Sequence, residues 1–377
     1  MQLGEVEPDV IAWRRHLHAH PELSFREHET SAFVRRQLEA FDGLTLSSPT
    51  PTSVVATLRG RRPGPTLALR ADLDALPIHE QSGVDFASQA DGVMHACGHD
   101  GHTAMLLATA RRLATIRDEL RGEVRFVFQH AEESPPGGAI EIVGSGVLDG
   151  VDAVIGCHLL SDMEVGTIAA LEGACSATAD VFSIRILGRG GHAAFPDTAV
   201  DPIVAAAQLV SSLQLVVSRE TSPVEPVVLS VTRIAGGTAD NVIPESVELA
   251  GTVRTYGEDT RRQTREAMER VVAGVTAAHR ARYEFEYTEG YASVVNDASL
   301  TRLVREVAGA RLIERPPLMA GEDFSAYQRV APVAFFFLGA GGDGAFPHHH
   351  PRFTIEEDAL SIGVETLTEV AVRFLRS

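Results

Sequence analysis

Between Met94 and Leu107 the chain reads MHACGHDGHTAMLL. Three imidazoles (His95, His99, His102), the Cys97 thiol and the Asp100 carboxylate fall within eight positions, just before an apolar helix pattern. Cys97 and His99 are separated by one residue and can reach the same point from a bent loop. Thiolate, imidazole and carboxylate together make a transition-metal shell. Beside a metal, Cys97 would be deprotonated and able to bridge two ions. Taken singly, Cys97 reads as an inert buried cysteine, and His95 and His102 as residues of a helix start.

Other polar residues follow apolar runs. Asp72 and Asp74 follow TLALR, Glu132 and Glu133 follow VRFVF, and His158 follows VDAVIGC. In open α/β sheets, ligands bind beyond the carboxyl ends of the strands, so three strands deliver acids or an imidazole to one edge. Adjacent residues on a strand point to opposite faces. Glu132 and Glu133 can therefore serve one site only if the chain turns, and SPPGG directly after them supplies a turn. Two such acids suit metal-assisted hydrolysis, one ligating and the other taking a proton from the attacking water. Near the C-terminus, AFPHHHPRF offers His348, His349 and His350 as a further ligand.

The elements that must position these groups follow from periodicity. Helical patterns cover 8–40, 101–116 and 137–147, and near-continuous apolar strands cover 66–70, 123–129 and 152–157. Such alternation indicates a buried, largely parallel α/β sheet flanked by helices. Near 176 the pattern changes. ADVFSIRILGR alternates apolar and polar residues, as a half-exposed antiparallel strand does. The strand ADVFSIRILGR (179–189), helix 200–217, strands 226–235 and 246–255, helix 259–279 and strand 282–288 give a βαββαβ order, a small inserted α+β unit. The α/β character then returns, with helices at 297–309, 323–328 and 356–375 around the strand APVAFFFLG. The division expected is 1–175 with 290–377 for a discontinuous catalytic domain, and 176–289 for the insertion.

The 377 residues carry a formal net charge of −18, which argues against nucleic-acid binding. Three cysteines without framework spacing fit a reducing compartment. The first residues contain no apolar signal core, and no uninterrupted apolar run of about 18 residues predicts a membrane span. A cytoplasmic protein is the expectation.

The motifs, taken in order, resemble the co-catalytic zinc aminoacylase and carboxypeptidase family, and most closely its amidohydrolase branch. The matching stretches are HAHPELSFREHET, ALRADLDALPI, MHACGHDGHTAMLL, HAEESPPGGA, GCHL, GRGGHAAFPDTAVDP, NVIPESVELAGTVRT and AGEDFSAY. The branch contains hippurate hydrolases, N-acyl-amino-acid amidohydrolases and auxin-conjugate hydrolases. The resemblance implies a metallo-exopeptidase-like catalytic domain with a ferredoxin-like insertion that serves as lid and dimer interface. It implies two divalent metal ions, zinc first, with manganese, cobalt or nickel as alternatives. Cys97 resembles the bridging ligand, and His99, Glu133, His158 and His349 the others. Glu132 resembles the general base, and Asp72 the group that orients a ligand histidine. His192 resembles a residue that reaches the partner's active site and polarises the scissile carbonyl. Asn241 and Arg254 resemble the groups that hold a substrate carboxylate. The wider family has a His-x-Asp motif and a bridging Asp where this chain has Arg70-Ala71-Asp72 and Cys97.

Without the resemblance, His192 also reads as a turn histidine, Arg254 as an exposed strand residue and Asp323 as the cap of the helix that follows it. The activity expected is hydrolysis of N-acyl amino acids by a homodimer. The alternatives are a dipeptidase or carboxypeptidase of the same family, or a non-catalytic ligand-binding relative. Retention of Glu132 speaks against the last, since a binder has no use for a base.

Overall fold

The structure is a computed structural model and describes residues 8–376. The chain divides into two compact units. One holds the chain up to Cys175, Val294–Pro316 and the stretch from Asp323 onward; the other holds Ser176–Ser293 and Pro317–Glu322.

The larger unit is built on a seven-stranded sheet. Its strands are β1 (Leu44–Ser47), β2 (Val54–Arg59), β3 (Arg62–Asp72), β4 (Arg121–Gln129), β5 (Ala153–Glu164), β6 (Ile168–Ala169) and β15 (Val333–Gly341), in the order β1-β2-β4-β3-β5-β15-β6. The central strands β4, β3, β5 and β15 run parallel, and β1, β2 and β6 are antiparallel at the edges. The sheet is therefore mixed and mostly parallel. Parallel strands need crossovers, which cover both faces of the sheet. That is why β15 is buried at every residue from Val333 to Ala340. A two-residue ribbon, β7 (Gly173–Ala174) with β14 (Val295–Asn296), lies in the same unit.

The helices of this unit are α1 (Pro8–Ala19), α2 (His28–Glu39), α3 (His99–Thr115), α4 (Gly138–Gly144), α7 (Ala298–Ala308) and α8 (Asp358–Arg376). The helix expected at 323–328 is a 3₁₀ helix, Asp323–Arg329. Central to the unit is α3, which packs on α8, α1 and β3. Its first turn lies so close to β5 that a Cβ on Gly101 would fall 2.5 Å from Leu159 Cδ1. Val10, Trp13 and Leu17 form the buried stripe of α1, as 3.6-residue periodicity requires. Arg14 and His18 are buried with them. Arg14 donates from Nε to Asp100 (2.9 Å) and from Nη1 to Glu357 (3.2 Å), and His18 Nδ1 meets the same Asp100 oxygen at 2.8 Å. α1 is thus tied to the start of α3, one residue from His99.

The smaller unit follows the order β8 (Ala179–Leu187), α5 (Pro202–Leu215), β10 (Val227–Gly236), β12 (Ser246–Thr255), α6 (Glu258–Ala278), β13 (Arg282–Tyr291). Its antiparallel sheet has the order β10-β12-β8-β13, the ferredoxin-like arrangement. Phe182, Ile184 and Ile186 alternate inward from β8 and pack with Leu209, Leu213, Met268 and Val272 of the two helices. The Asp201 side chain caps α5 by accepting from Ile203 N at 2.8 Å, and Pro202 fills the first helical position. Residues 202–220 are long and apolar enough to span a bilayer by length and composition. One face of this segment, including Ala205, Leu209 and Val216, is buried in the unit's own core. A second ribbon pairs β9 (Gly191–His192) with β11 (Val242–Ile243).

Removing one partner of a buried ion pair strands the other charge, at a cost of about 3–5 kcal/mol. Arg14→Ala should therefore lower the free energy of urea unfolding by about that amount. Arg373→Ala, which breaks the exposed pair with Glu369 on the last helix, should cost no more than about 0.5 kcal/mol.

Candidate metal centre

Asp74 lies two residues beyond β3 and is 1% exposed. Its Oδ1 accepts from Glu132 N at 3.0 Å, and its Oδ2 from Glu133 N at 2.9 Å and from Ser24 Oγ at 2.7 Å. Its backbone carbonyl accepts from His99 Nδ1 at 2.9 Å. One residue thus fixes both acids after β4 and the first histidine of α3. The bond at Nδ1 fixes the ring and leaves Nε2 as the edge that a metal would take. That Nε2 is buried without a hydrogen-bond partner and lies 3.9 Å from Glu133 Oε1. His349 brings Nε2 to 3.2 Å from the same Glu133 oxygen, from a backbone in the left-handed region (φ 63°).

Around Cys97 the donors form overlapping sets. Cys97 with Glu133 and His349, Cys97 with His158 and His348, and His99 with Glu132 and Glu133 each place their donor atoms within 4.8 Å of one another. Sγ of Cys97 is 3.5 Å from His158 Nε2. Charges in the cluster are unbalanced toward the negative. Burial alone would lower the His99 imidazolium, yet Asp72, Asp74 and Glu133 push it up to about 10. Burial, followed by Glu133, Glu132 and Asp72, pushes the Cys97 thiol well up. Burial and the neighbouring imidazoles His102 and His348 hold His158 well below the ordinary histidine range. Acids that retain a proton on an imidazole and on a thiol mark a place where a cation is favoured. Soft sulfur beside nitrogen and oxygen fits a divalent transition metal.

Behind this layer lies a second buried network. Arg70 donates from Nε to Gln129 (2.8 Å), from Nη1 to Asp72 (2.6 Å) and from Nη2 to Asp323 (2.8 Å). Arg70 is thus the cation that neutralises the inner acids. Asp72 Oδ1 in turn holds His102 Nδ1 at 2.7 Å, and His102 Nε2 accepts from Leu159 N at 2.9 Å. His102 is thereby locked between β3 and β5, beside His158.

Several expectations are corrected by these contacts. The histidine that Asp72 orients is His102, whereas His99 Nδ1 is held by Asp74. Asp72 Oδ2 lies 3.7 Å from His99 Nε2 while its other oxygen orients His102. Asp323 does not cap its own 3₁₀ segment. Its Oδ2 accepts from Ala139 N at 2.9 Å and so caps α4, with Gly137 at φ 83° because a Cβ there would meet that oxygen at 2.6 Å. His158 does not end a strand. It lies inside β5, opposite Phe337 of β15, just past the last β3–β5 pair at Arg70 and Gly156. The turn that lets both glutamates face one site begins before them, at Ala131 (φ 51°). The three terminal histidines separate: His348 and His349 approach Cys97, while His350 Nδ1 accepts from Arg352 N at 3.0 Å. Among residues the sequence reading underused, Asp74 stands out. Its signal was the Asp-x-Asp spacing after β3.

The remaining candidates belong to the smaller unit. His192 is exposed and pairs with Val242 across the β9–β11 ribbon, and Ala193 N donates to the Asn241 carbonyl at 3.0 Å, so His192 and Asn241 are neighbours. His192 Nδ1 accepts from Ala194 N at 3.1 Å, which leaves the proton on Nε2. Arg254 is half-buried on β12 and donates to the carbonyls of Asp180 (3.2 Å) and Val253 (3.0 Å).

The model of peptidase family M20/M25/M40 matches residues 68–373. The chain is 57% identical over 294 residues to an N-acyl-L-amino acid amidohydrolase of Geobacillus stearothermophilus, covering 78% of this chain and 80% of that one. It is 44% identical over 372 residues to an N-acetylcysteine deacetylase of Bacillus subtilis, covering 98% and 97%. Among solved structures, the Bacillus subtilis YXEP protein, described as a dinuclear metal-binding peptidase of the M20 family, superposes with a TM-score of 0.87. It is 41% identical, with 97% of this chain and 98% of that one covered.

If Asp74 orders the donors, Asp74→Asn should weaken zinc binding by roughly 10- to 100-fold, the usual cost of losing a group that orients ligands. The amide has one acceptor where two N–H groups and a hydroxyl need two. Competition against a chromophoric chelator measures the change.

Proposed function

The chain belongs to peptidase family M20/M25/M40 as a hydrolase of its amidohydrolase branch, and from there we propose that it cleaves the amide bond of N-acyl amino acids to a carboxylate and a free amino acid. The observation that carries the reading is the Glu132–Glu133 pair. One carboxylate, Asp74, holds both backbones, and Glu133 turns to His99 and His349. Cys97, His99, Glu133, His158 and His349 would hold two divalent ions, with His348 as a further donor beside His158. When bound, such ions acidify water and stabilise negative charge on oxygen. Zinc is the first choice for this donor set, followed by manganese, cobalt or nickel.

In this proposal Glu132 takes the proton of the attacking water and returns it to the leaving amine. His192 presents an Nε2 proton and suits hydrogen bonding to the scissile carbonyl as its oxygen gains charge. Arg254 suits a substrate carboxylate. Among the described residues its guanidinium meets carbonyl oxygens and no salt-bridging carboxylate. Its fixed fork of donors matches a carboxylate, and Asn241 can add a donor.

A homodimer through the smaller unit is part of the same proposal. β10 is an edge strand with Val228 and Ile234 exposed, and Ile203, Val204 and Leu215 of α5 are exposed as well. An apolar edge strand is a pairing surface unless it is covered.

Two experiments test the proposal. The first compares an N-acetyl amino acid with its carboxyl amide. Losing a charge-assisted contact costs about 2–4 kcal/mol, so the amide should be the poorer substrate by roughly 30- to 1000-fold in kcat/KM. Arg254→Ala should erase most of that gap. Equal rates on the unmodified enzyme would remove the carboxylate-reading assignment, and no amide cleavage by enzyme loaded with any of the four metals would remove the activity. In the second, His192→Ala and Glu132→Gln should each be nearly inactive, and mixing them should restore part of the activity if His192 acts across the dimer. No recovery after demonstrated subunit exchange would show that it does not.

A further inference from the structure

Besides His349, two non-glycine residues of the larger unit, Phe25 (φ 65°) and Ala131 (φ 51°), lie in the left-handed region near the acid pair. Residues bearing a Cβ enter that region rarely and need surrounding contacts to stay there. Both are held by the same atom. Glu27 Oε1 accepts from Phe25 N at 2.9 Å and from Ala131 N at 2.8 Å.

Glu27 is fully buried and stands at the N-cap position of α2, yet its side chain makes no cap bond to that helix. An N-cap side chain ordinarily satisfies the helix's own first N–H groups. This one reaches across to the chain that leaves β4. Burial pushes the Glu27 carboxyl up to about 7, against the pull of nearby backbone N–H groups. A buried acid that neither pairs with a cation nor caps its helix is costly, and the bonds its Oε1 accepts go to the two left-handed residues.

The consequence lies one residue further on. An extended chain through Ala131 would send Glu132 and Glu133 to opposite faces. The left-handed residue redirects the chain so that the N–H groups of Glu132 and Glu133 both meet Asp74. The segment that carries Glu27 is itself tied to the same place, through Ser24 Oγ on Asp74 (2.7 Å) and Ala75 N on the Glu22 carbonyl (2.8 Å).

We propose that Glu27 is a positioning residue for the hydrolysis: by holding Ala131 in its left-handed turn it aims Glu132 at the attacking water. The inference rests on the base role given to Glu132 above. It assigns a catalytic purpose to the N-terminal motif PELSFREHET, which contributes no donor to the metal cluster.

Reach decides the effect, and charge does not. Glu27→Gln keeps an acceptor at Oε1 and should retain most of kcat. Glu27→Asp keeps the acid but is one methylene too short to reach Ala131 N. It should lose roughly 10- to 100-fold in kcat, the scale set by misplacing a catalytic group by about 1 Å. KM and metal content should stay unchanged in both. In a Glu132→Gln background Glu27→Asp should cause no further loss, because the side chain it aims is already disabled. The inference is overturned if Glu27→Asp is fully active, if Glu27→Gln is equally impaired, if the loss follows lost metal, or if the two losses multiply. A fully active Glu132→Gln enzyme would instead remove the base assignment, and that result is read separately.

Discussion

The Asp74 carboxylate, sealed from water, constrains everything around it. Burying an ionised acid is tolerable only if its lone pairs are met by donors. Here the carboxylate is met by Ser24 before α2 and by Glu132 with Glu133 after β4, and the carbonyl of the same residue is met by His99 at the start of α3. The loops after β3 and β4 and the N-terminus of α3 are therefore not free to choose independent conformations. Leaving any one donor out would strand part of a buried charge. The acids and imidazole that suit hydrolysis are the groups that satisfy, or are aimed by, that single carboxylate.

A second constraint is charge. Asp72, Asp74, Glu132 and Glu133 surround Cys97 and His99, and the donors of the buried cation Arg70 go to Asp72, Gln129 and Asp323. Arg70 neutralises the back of the cluster only. Burial pushes Asp323 up to about 6 despite Arg70, so even the protected side is rich in acid. At the front, Asp72, Asp74 and Glu133 favour positive charge on His99, and divalent cations would supply such charge while leaving those atoms as ligands. The preference for metal is thus built into the arrangement of acids behind the donors as much as into the donors themselves.

Periodic signals in the sequence located much of the fold. The strand 246–255 is β12, the βαββαβ order yields the ferredoxin-like sheet, and the apolar run AFFFLG is the fully buried middle of β15. Clustered donors were also legible in part, because Cys97 and His99 are neighbours in sequence and Glu132 and Glu133 are adjacent. What stayed hidden depends on contacts between distant residues. His158 looked like a strand end, yet β5 continues because β15 still pairs with it after β3 has left the ladder. Asp323 precedes a helical segment but caps α4, which lies nearly two hundred residues earlier in the chain. Ala131 carries no mark of a left-handed turn, since that conformation is imposed by Glu27 from another segment. Local composition reports what a residue can do, whereas these roles are decided by what folds against it.

The spacing of Asp72 and Asp74 shows how strand geometry becomes chemistry. Side chains two apart along an extended chain point to the same side. Asp72 is the last residue of β3, and Asp74 continues that direction past its end. Both carboxylates therefore face the His99 ring, Asp74 Oδ1 at 3.3 Å from Nδ1 and Asp72 Oδ2 at 3.7 Å from Nε2. The outer residue orients the ring, through its carbonyl as well as its carboxylate, and the inner acid makes the ligating edge electronegative. With one residue fewer between them, the acids would point to opposite faces and only one could meet the ring. With one more, the same mismatch would return. The motif Arg-Ala-Asp-Leu-Asp thus uses the period of a β-strand to grip an imidazole on two edges. Its intervening Leu73, fully buried, turns the other way into the core and anchors the pair.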